Sequence, residues 1–142
     1  MTHPIAKGLA LILGIACSPA CAATVEVVVE GIEPGAGTVY VALCQDGLSE
    51  AECRSGQDVA ADGRSQRVVL TGIAPGIYAV AAYQDLNGNR RLDRTGLGLP
   101  LEPYGFSGET TRTRPDFARA RFTLREPGIA LRVRLVRALP PR

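Results

Sequence analysis

The sequence predicts an all-β fold, a single antiparallel β-sandwich of about seven strands, and three observations carry that prediction. Short apolar runs alternate with polar positions at a period of two, Gly- and Pro-containing turns separate them, and no stretch holds a capped helical periodicity. A chain of 142 residues has room for one domain of ordinary size. Hydrophobic content of 46% and charged content of 21% place it among globular proteins, and a net charge of +2 is too small to argue for nucleic acid.

Residues 1–22 read as a signal peptide, and 23–142 as the sandwich domain. Lys7 precedes the short apolar core Gly8–Ala16, and Ser18-Pro19-Ala20-Cys21-Ala22 ends in the small-x-small pattern that a signal peptidase cuts. The apolar run falls well short of the roughly 20 residues of a spanning helix, and no other segment reaches that length. Neither Cys17 nor Cys21 follows the Leu-Ala-Gly-like triplet of a lipoprotein anchor. The expected product is soluble and periplasmic or secreted. Cleavage also takes away His3 and Lys7, the one His and the one Lys of the chain. Ser-His-Asp and Cys-His catalysis, Schiff-base chemistry and His-ligated metals are thereby excluded.

Two cysteines remain, Cys44 and Cys53, and an even pair in an oxidising compartment is a disulfide by default. A loop this short stabilises a fold by roughly 2.5–3 kcal/mol on the chain-entropy model. A reactive thiol pair is the rival reading, but the spacing is not C-x-x-C and Arg54 is the one basic neighbour.

The strands follow in order. Thr24–Glu30 sets Val25, Val27 and Val29 on one face, and Thr38–Cys44 does the same with Val39, Val41 and Leu43. Pro34-Gly35-Ala36-Gly37 turns between them. Gln45–Ser65 is polar and reads as a loop whose first half the disulfide pins. Gln66–Thr71 and Ile77–Tyr83 are strands around Ala74-Pro75-Gly76. At the C-terminus Pro127-Gly128 predicts a hairpin in which Phe122 faces Val133, Leu124 faces Leu131, Ala120 faces Leu135 and Glu126 faces Ile129. That register sets Arg121 against Arg134, with Arg119 and Arg132 nearby, and such like charges need a counterpart. Glu26 and Glu30 on a neighbouring strand supply one, together with solvent; an anionic partner is the functional alternative.

The segment that carries chemistry is Asp85-Leu86-Asn87-Gly88-Asn89-Arg90-Arg91-Leu92-Asp93. Oxygen-bearing side chains fall at positions 1, 3, 5 and 9, and Arg91 offers its carbonyl at position 7, the order in which a calcium loop presents ligands. Arg90 stands where helical calcium loops need Gly, and position 12 is Gly96 where they carry a bidentate Glu; Glu102 is the nearest substitute. The metal-free alternative is a loop in which Asp and Asn side chains bond their own backbone. Gln84 to Arg114 forms one long connection, a length that is usually functional or disordered. Tyr104 and Phe106 in it read either as partner-facing aromatics or as plugs at the end of the sandwich.

These residues resemble a bacterial family catalogued as domain of unknown function 2141. The resemblance rests on Gly76-Ile77-Tyr78-Ala79-Val80, on Asp85-x-Asn87-x-Asn89-x-x-x-Asp93 and on Gly98-Leu99-Pro100-x-Glu102-x-Tyr104-Gly105-Phe106-Ser107, continuing weakly through Pro115-Asp116-Phe117. It implies a small exported protein, similar to transthyretin-like, carboxypeptidase-regulatory-like and immunoglobulin-like sandwiches, with no established activity. Cys44 and Cys53 lie outside the family pattern, and Arg90-Arg91 stands where that pattern more often has Gly and a Lys-like residue.

The functional expectation is a non-catalytic binding or structural module. Calcium would organise the Asp85–Asp93 loop, with Glu102, and the Glu102–Phe106 segment would meet a protein or glycan of the cell envelope. The enzymatic alternative is a carboxylate-based hydrolase of envelope glycans built on Asp85, Asp93 and Glu102, but the chain has no Trp to stack sugars. A third reading is an envelope protein that binds anions on its Arg face.

Overall fold

The computed structural model describes residues 21–108 and 115–140; the expected signal peptide falls almost wholly outside them. Among the described residues, no helix is long and apolar enough to cross a membrane. Eight strands and one short helix follow along the chain: β1 (Ala23–Glu30), β2 (Thr38–Cys44), β3 (Cys53–Ala60), β4 (Ser65–Ile73), β5 (Gly76–Asp85), β6 (Tyr104–Phe106), α1 (Phe117–Ala120), β7 (Phe122–Leu124) and β8 (Gly128–Arg134). They form two sheets, β4-β1-β8 and β3-β2-β5-β6, with β7 also paired to β5.

The period-two alternation becomes the core. Val25, Val27 and Val29 of β1 meet Val39, Val41 and Leu43 of β2, with Val68, Leu70, Val80, Leu124 and Val133 closing the cluster. Each fully buried valine contributes about 1.5–3 kcal/mol through the apolar surface it removes from water. Thr24, Glu26, Val28 and Glu30 alternate to the outer side, where Glu26 pairs with Arg67 of β4 at 2.6 Å and Glu30 with Arg132 of β8 at 3.4 Å. Of the two glutamates expected to neutralise the arginine face, Glu30 meets one of its members, Arg132, whereas Glu26 meets Arg67 of β4; among the described residues Arg119, Arg121 and Arg134 enter no ion pair.

Three expectations need correction. Gln45–Ser65 contains a strand, β3, which lacks apolar alternation because it is a sheet edge, exposed from Arg54 to Asp58. The long connection from Gln84 is interrupted by β6, which pairs with Ala81–Tyr83. The C-terminal hairpin does not form: β7 pairs with β5, setting Phe122 opposite Tyr78 and Leu124 opposite Gly76, and β8 runs parallel to β1. Neither Phe122–Val133, Leu124–Leu131, Ala120–Leu135 nor Arg121–Arg134 is a strand pair, and Ala120 belongs to α1. The β4-β1-β8 sheet is therefore mixed, not purely antiparallel as expected. An alternating segment presents the same apolar face to any neighbour, so consistency of faces does not select the partner strand. Leu124, Val133 and Leu135 are buried as expected, against other strands.

Several close contacts set the end of β5 where the chemistry-bearing loop departs. Gly37, at φ +65°, lies so close to the Asp85 carbonyl that a Cβ there would sit 1.8 Å from the oxygen. Only glycine fits. The fully buried Gln84 side chain donates to the carbonyls of Glu33 (2.8 Å) and Ala36 (2.5 Å) and accepts from the Glu33 N–H (2.9 Å). Ser107, just past β6, accepts from the Val80 N–H at 2.8 Å and donates to the Ala120 carbonyl at 2.6 Å. Reciprocal backbone bonds between Tyr104 and Val136, at 3.0 and 2.8 Å, join the two sheets at that edge.

Candidate functional site

The outer face of the five-stranded sheet is built from two cross-strand rows. Strand register aligns Asp58, Tyr40, Tyr83 and Tyr104 in one row, and Gly56, Ala42, Ala81 and Phe106 in the next. Large residues beside small ones leave a trough. The rings of Tyr40 and Tyr83 stack with centroids 5.1 Å apart and planes 16° from parallel. A loop closes each end: Leu48 of the disulfide loop at one, and Arg90, Leu92 and Arg94 at the other. The resulting cavity is about 600 Å³ and is also bordered by Ser49, Glu50 and Gln57. Burial first, then the negative charge of Tyr40, Asp85, Glu102 and Glu50, pushes the Tyr83 hydroxyl up to about 12.

The disulfide loop is held at three levels. Cys44 and Cys53 are bonded, as expected. The Gln45 N–H donates to the Glu52 carbonyl at 3.0 Å, and the Glu52 N–H to the Ser49 carbonyl at 3.0 Å. The Glu52 carboxylate accepts from the N–H and hydroxyl of Ser49 at 2.9 and 2.8 Å. Those two bonds, the backbone one foremost, hold the Glu52 carboxyl below the usual carboxylate range.

The Asp85–Asp93 loop brings its predicted residues together. Asp85, 1% exposed, accepts from the N–H of Gly88 (2.8 Å) and of Arg90 (2.7 Å), one on each oxygen. Asn87 Oδ1 accepts from the Asn89 N–H at 3.1 Å, and Asn89 Oδ1 from the Arg91 N–H at 2.9 Å. The amide nitrogens of both asparagines turn onto Asp93: Asn87 at 2.6 Å, and Asn89 at 2.9 and 2.8 Å. Glu102, 5% exposed, reaches the same loop, accepting from Leu86 N–H at 2.9 Å and Asp93 N–H at 3.3 Å. Every side-chain oxygen of Asp85, Asn87, Asn89, Asp93 and Glu102 thus takes an N–H. The donor set suits a hard cation in kind, being carboxylate and amide oxygen. It does not suit one in direction, because amide nitrogens face Asp93. Among the described residues, no three His, Cys, Asp or Glu stand together as a metal-ligand group.

The aromatics of the long connection separate. Tyr104 is 4% exposed and meets Phe106 edge-on, with centroids 6.0 Å apart, so its ring offers little surface to a partner. Phe106 is half-buried and borders the trough. Sequence reasoning missed Tyr40 and Tyr83. Their signal was present: each occupies the polar-side position of an alternating strand, where the neighbouring outward residue is only Ala.

No curated protein and no solved structure matches the chain. A family model does match, over residues 27–130, a span that takes in both rows of the trough and both loops at its ends. The chain belongs to the family DUF2141, described as an uncharacterized protein conserved in bacteria.

Proposed function

We propose that this is an exported, non-catalytic binding module whose ligand is a glycan of the cell envelope, held in the trough over Ala42 and Ala81. The observation that carries this reading is the stacked Tyr40–Tyr83 pair standing beside a row of small residues on an outward sheet face. A cross-strand aromatic pair stabilises its sheet by about 0.2–1 kcal/mol, and here the two rings also wall a trough. A volume of about 600 Å³ lies in the range of small-ligand sites. Its border of Ser49, Gln57, Glu50, Asp58, Arg90 and Arg94 offers hydrogen-bond donors and acceptors around an apolar floor, the chemistry that a sugar's hydroxyls and C–H faces call for. The opposed charges near-balance, which favours a neutral glycan. A non-catalytic role is supported by the place of the three candidate acids and bases, Asp85, Asp93 and Glu102, none of which borders the trough.

With 4 Tyr and no Trp in the chain, tyrosine emission reports on the trough directly. Titration with soluble envelope glycan fragments should give a saturable change. Ala42→Leu, which fills the trough and leaves both rings in place, should abolish it. Undiminished binding by Ala42→Leu would place the ligand elsewhere and end this reading.

A second proposal concerns the loop. Calcium binds it weakly, with a dissociation constant on the order of 10⁻⁴ to 10⁻³ M, after the Asp93 carboxylate turns from the two asparagine amides to the ion. The support is the ligand order at positions 1, 3, 5, 7 and 9 and the gathering of those side chains with Glu102. Millimolar calcium should raise the melting temperature of the native chain and leave Asp93→Ala unmoved. Coincident melts in calcium and in EDTA would leave a metal-free Asx loop.

A further inference from the structure

The five-stranded sheet ends on β3, and among the described residues nothing pairs with its far edge. Five consecutive residues, Arg54 to Asp58, are exposed. A free edge offers alternate backbone N–H and C=O groups to any extended chain, and proteins blunt such edges with Lys, Pro or charges that repel a newcomer. β3 has neither Lys nor Pro. Its charges are of opposite sign and lie symmetrically, Arg54 two residues before Gly56 and Asp58 two residues after.

We propose that β3 pairs antiparallel with β3 of a second copy of this chain, about a two-fold axis at Gly56. In that register Arg54 of each copy faces Asp58 of the other, Ser55 faces Gln57, and the axis passes a residue with no side chain to obstruct it. A two-fold at Ser55 would set Asp58 against Glu52, like against like, and one at Gln57 would leave Arg54 opposite Ala60. Both charges are available: among the described residues neither enters an ion pair. Arg54 falls at the irregularity where pairing to β2 skips it, and donates only its Nε to the Ala51 carbonyl, at 2.8 Å. Opposite charges facing each other across two strands attract, and the two-fold doubles every such pair. The dimer joins two sheets into one continuous face and sets the two troughs side by side, since Gly56 and Asp58 border each. It stands whether or not the troughs bind glycan.

Sedimentation velocity across a concentration series at low salt tests this. The native chain should pass from monomer to dimer. Arg54→Asp and Asp58→Arg, each creating two like-charge contacts, should each weaken the dimer about tenfold or more, and the double reversal should restore it. Monomers at every concentration, or a dimer indifferent to the single reversals, would overturn the proposal. Should a single variant fail to fold by circular dichroism, hydrogen exchange of the native chain decides. The amides of residues 54–58 that point to the free edge must gain protection as concentration rises, and constant exchange would overturn the proposal equally.

Discussion

The outer faces of the two sheets are made from the same kind of strand and have opposite characters. On the three-stranded sheet, β1 sets Glu26 and Glu30 between Arg67 and Arg132, and the charges cancel locally. That face carries a solvated ion-pair ladder. On the five-stranded sheet, the outward positions hold tyrosines beside alanines and glycine, with a stapled loop at one end and an Asx-rich loop at the other. That face is concave and amphipathic. The lesson is that an outward position carries information when its residue does more than solubilise: a Glu–Arg pair needs no explanation beyond solvent, and a stacked tyrosine pair does.

The sharpest way to strain the contrast is to open the disulfide. Cys44→Ala with Cys53→Ala should destabilise the fold by about 2.5 kcal/mol, the chain-entropy value for a sequence separation of 9, read as a lowered urea midpoint. The damage should be local to the trough, where Leu48 loses its anchor, and glycan titration should weaken more than the ion-paired face is disturbed. A change under about 0.5 kcal/mol would mean that the Ser49–Glu52 and Gln45–Glu52 hydrogen bonds hold the loop without it.

A smaller effect distinguishes the tyrosines. Because Tyr83 is raised to about 12, one of the chain's 4 tyrosines should ionise late in an absorbance titration, and Tyr83→Phe should remove that late step. The sign for stability follows: the neutral hydroxyl is favoured in the fold, so this contribution is intact below about pH 10 and is lost as pH climbs toward about 12. Tyr83→Phe should therefore resist alkaline unfolding better than the parent. Identical alkaline limbs would show that the ring is not desolvated in its row.

The smallest effect belongs to the opposite face. Arg67, through its hydrogen bond above all, holds the exposed Glu26 carboxyl below the usual range. Glu26→Gln should lower the melting temperature only slightly, at neutral pH and low salt. The difference should vanish as pH falls through the lowered pKa of Glu26, and in high salt. A large loss there would mean that the ladder is structural, and the contrast between the faces would be blunted.

How much of this was legible in the sequence depends on what each signal reports. The core valines of β1 and β2 were readable because alternation states directly which side is dry. So were the Cys44–Cys53 bond and the meeting of Asn87 and Asn89 with Asp93, since short-range spacing nearly fixes both. β3 was hidden because an edge strand exposed on both faces has no dry side to alternate. The C-terminal pairing was misread for a different reason: Phe122, Leu124 and Val133 were assigned the right face, but partner choice is long-range. The Tyr40–Tyr83 stack depends on the β2–β5 register, which no local pattern carries.

The most direct test of the central claim is an amide NMR spectrum of the chain with and without a soluble envelope glycan fragment. Shifts should be confined to the outward residues of β2 and β5, to β3, and to the loops holding Leu48 and Arg90. Residues of β1 and β4 that carry the ion pairs should stay still. Shifts centred on Glu26, Glu30 and Arg67 instead, or an unchanged spectrum at saturating glycan, would contradict it.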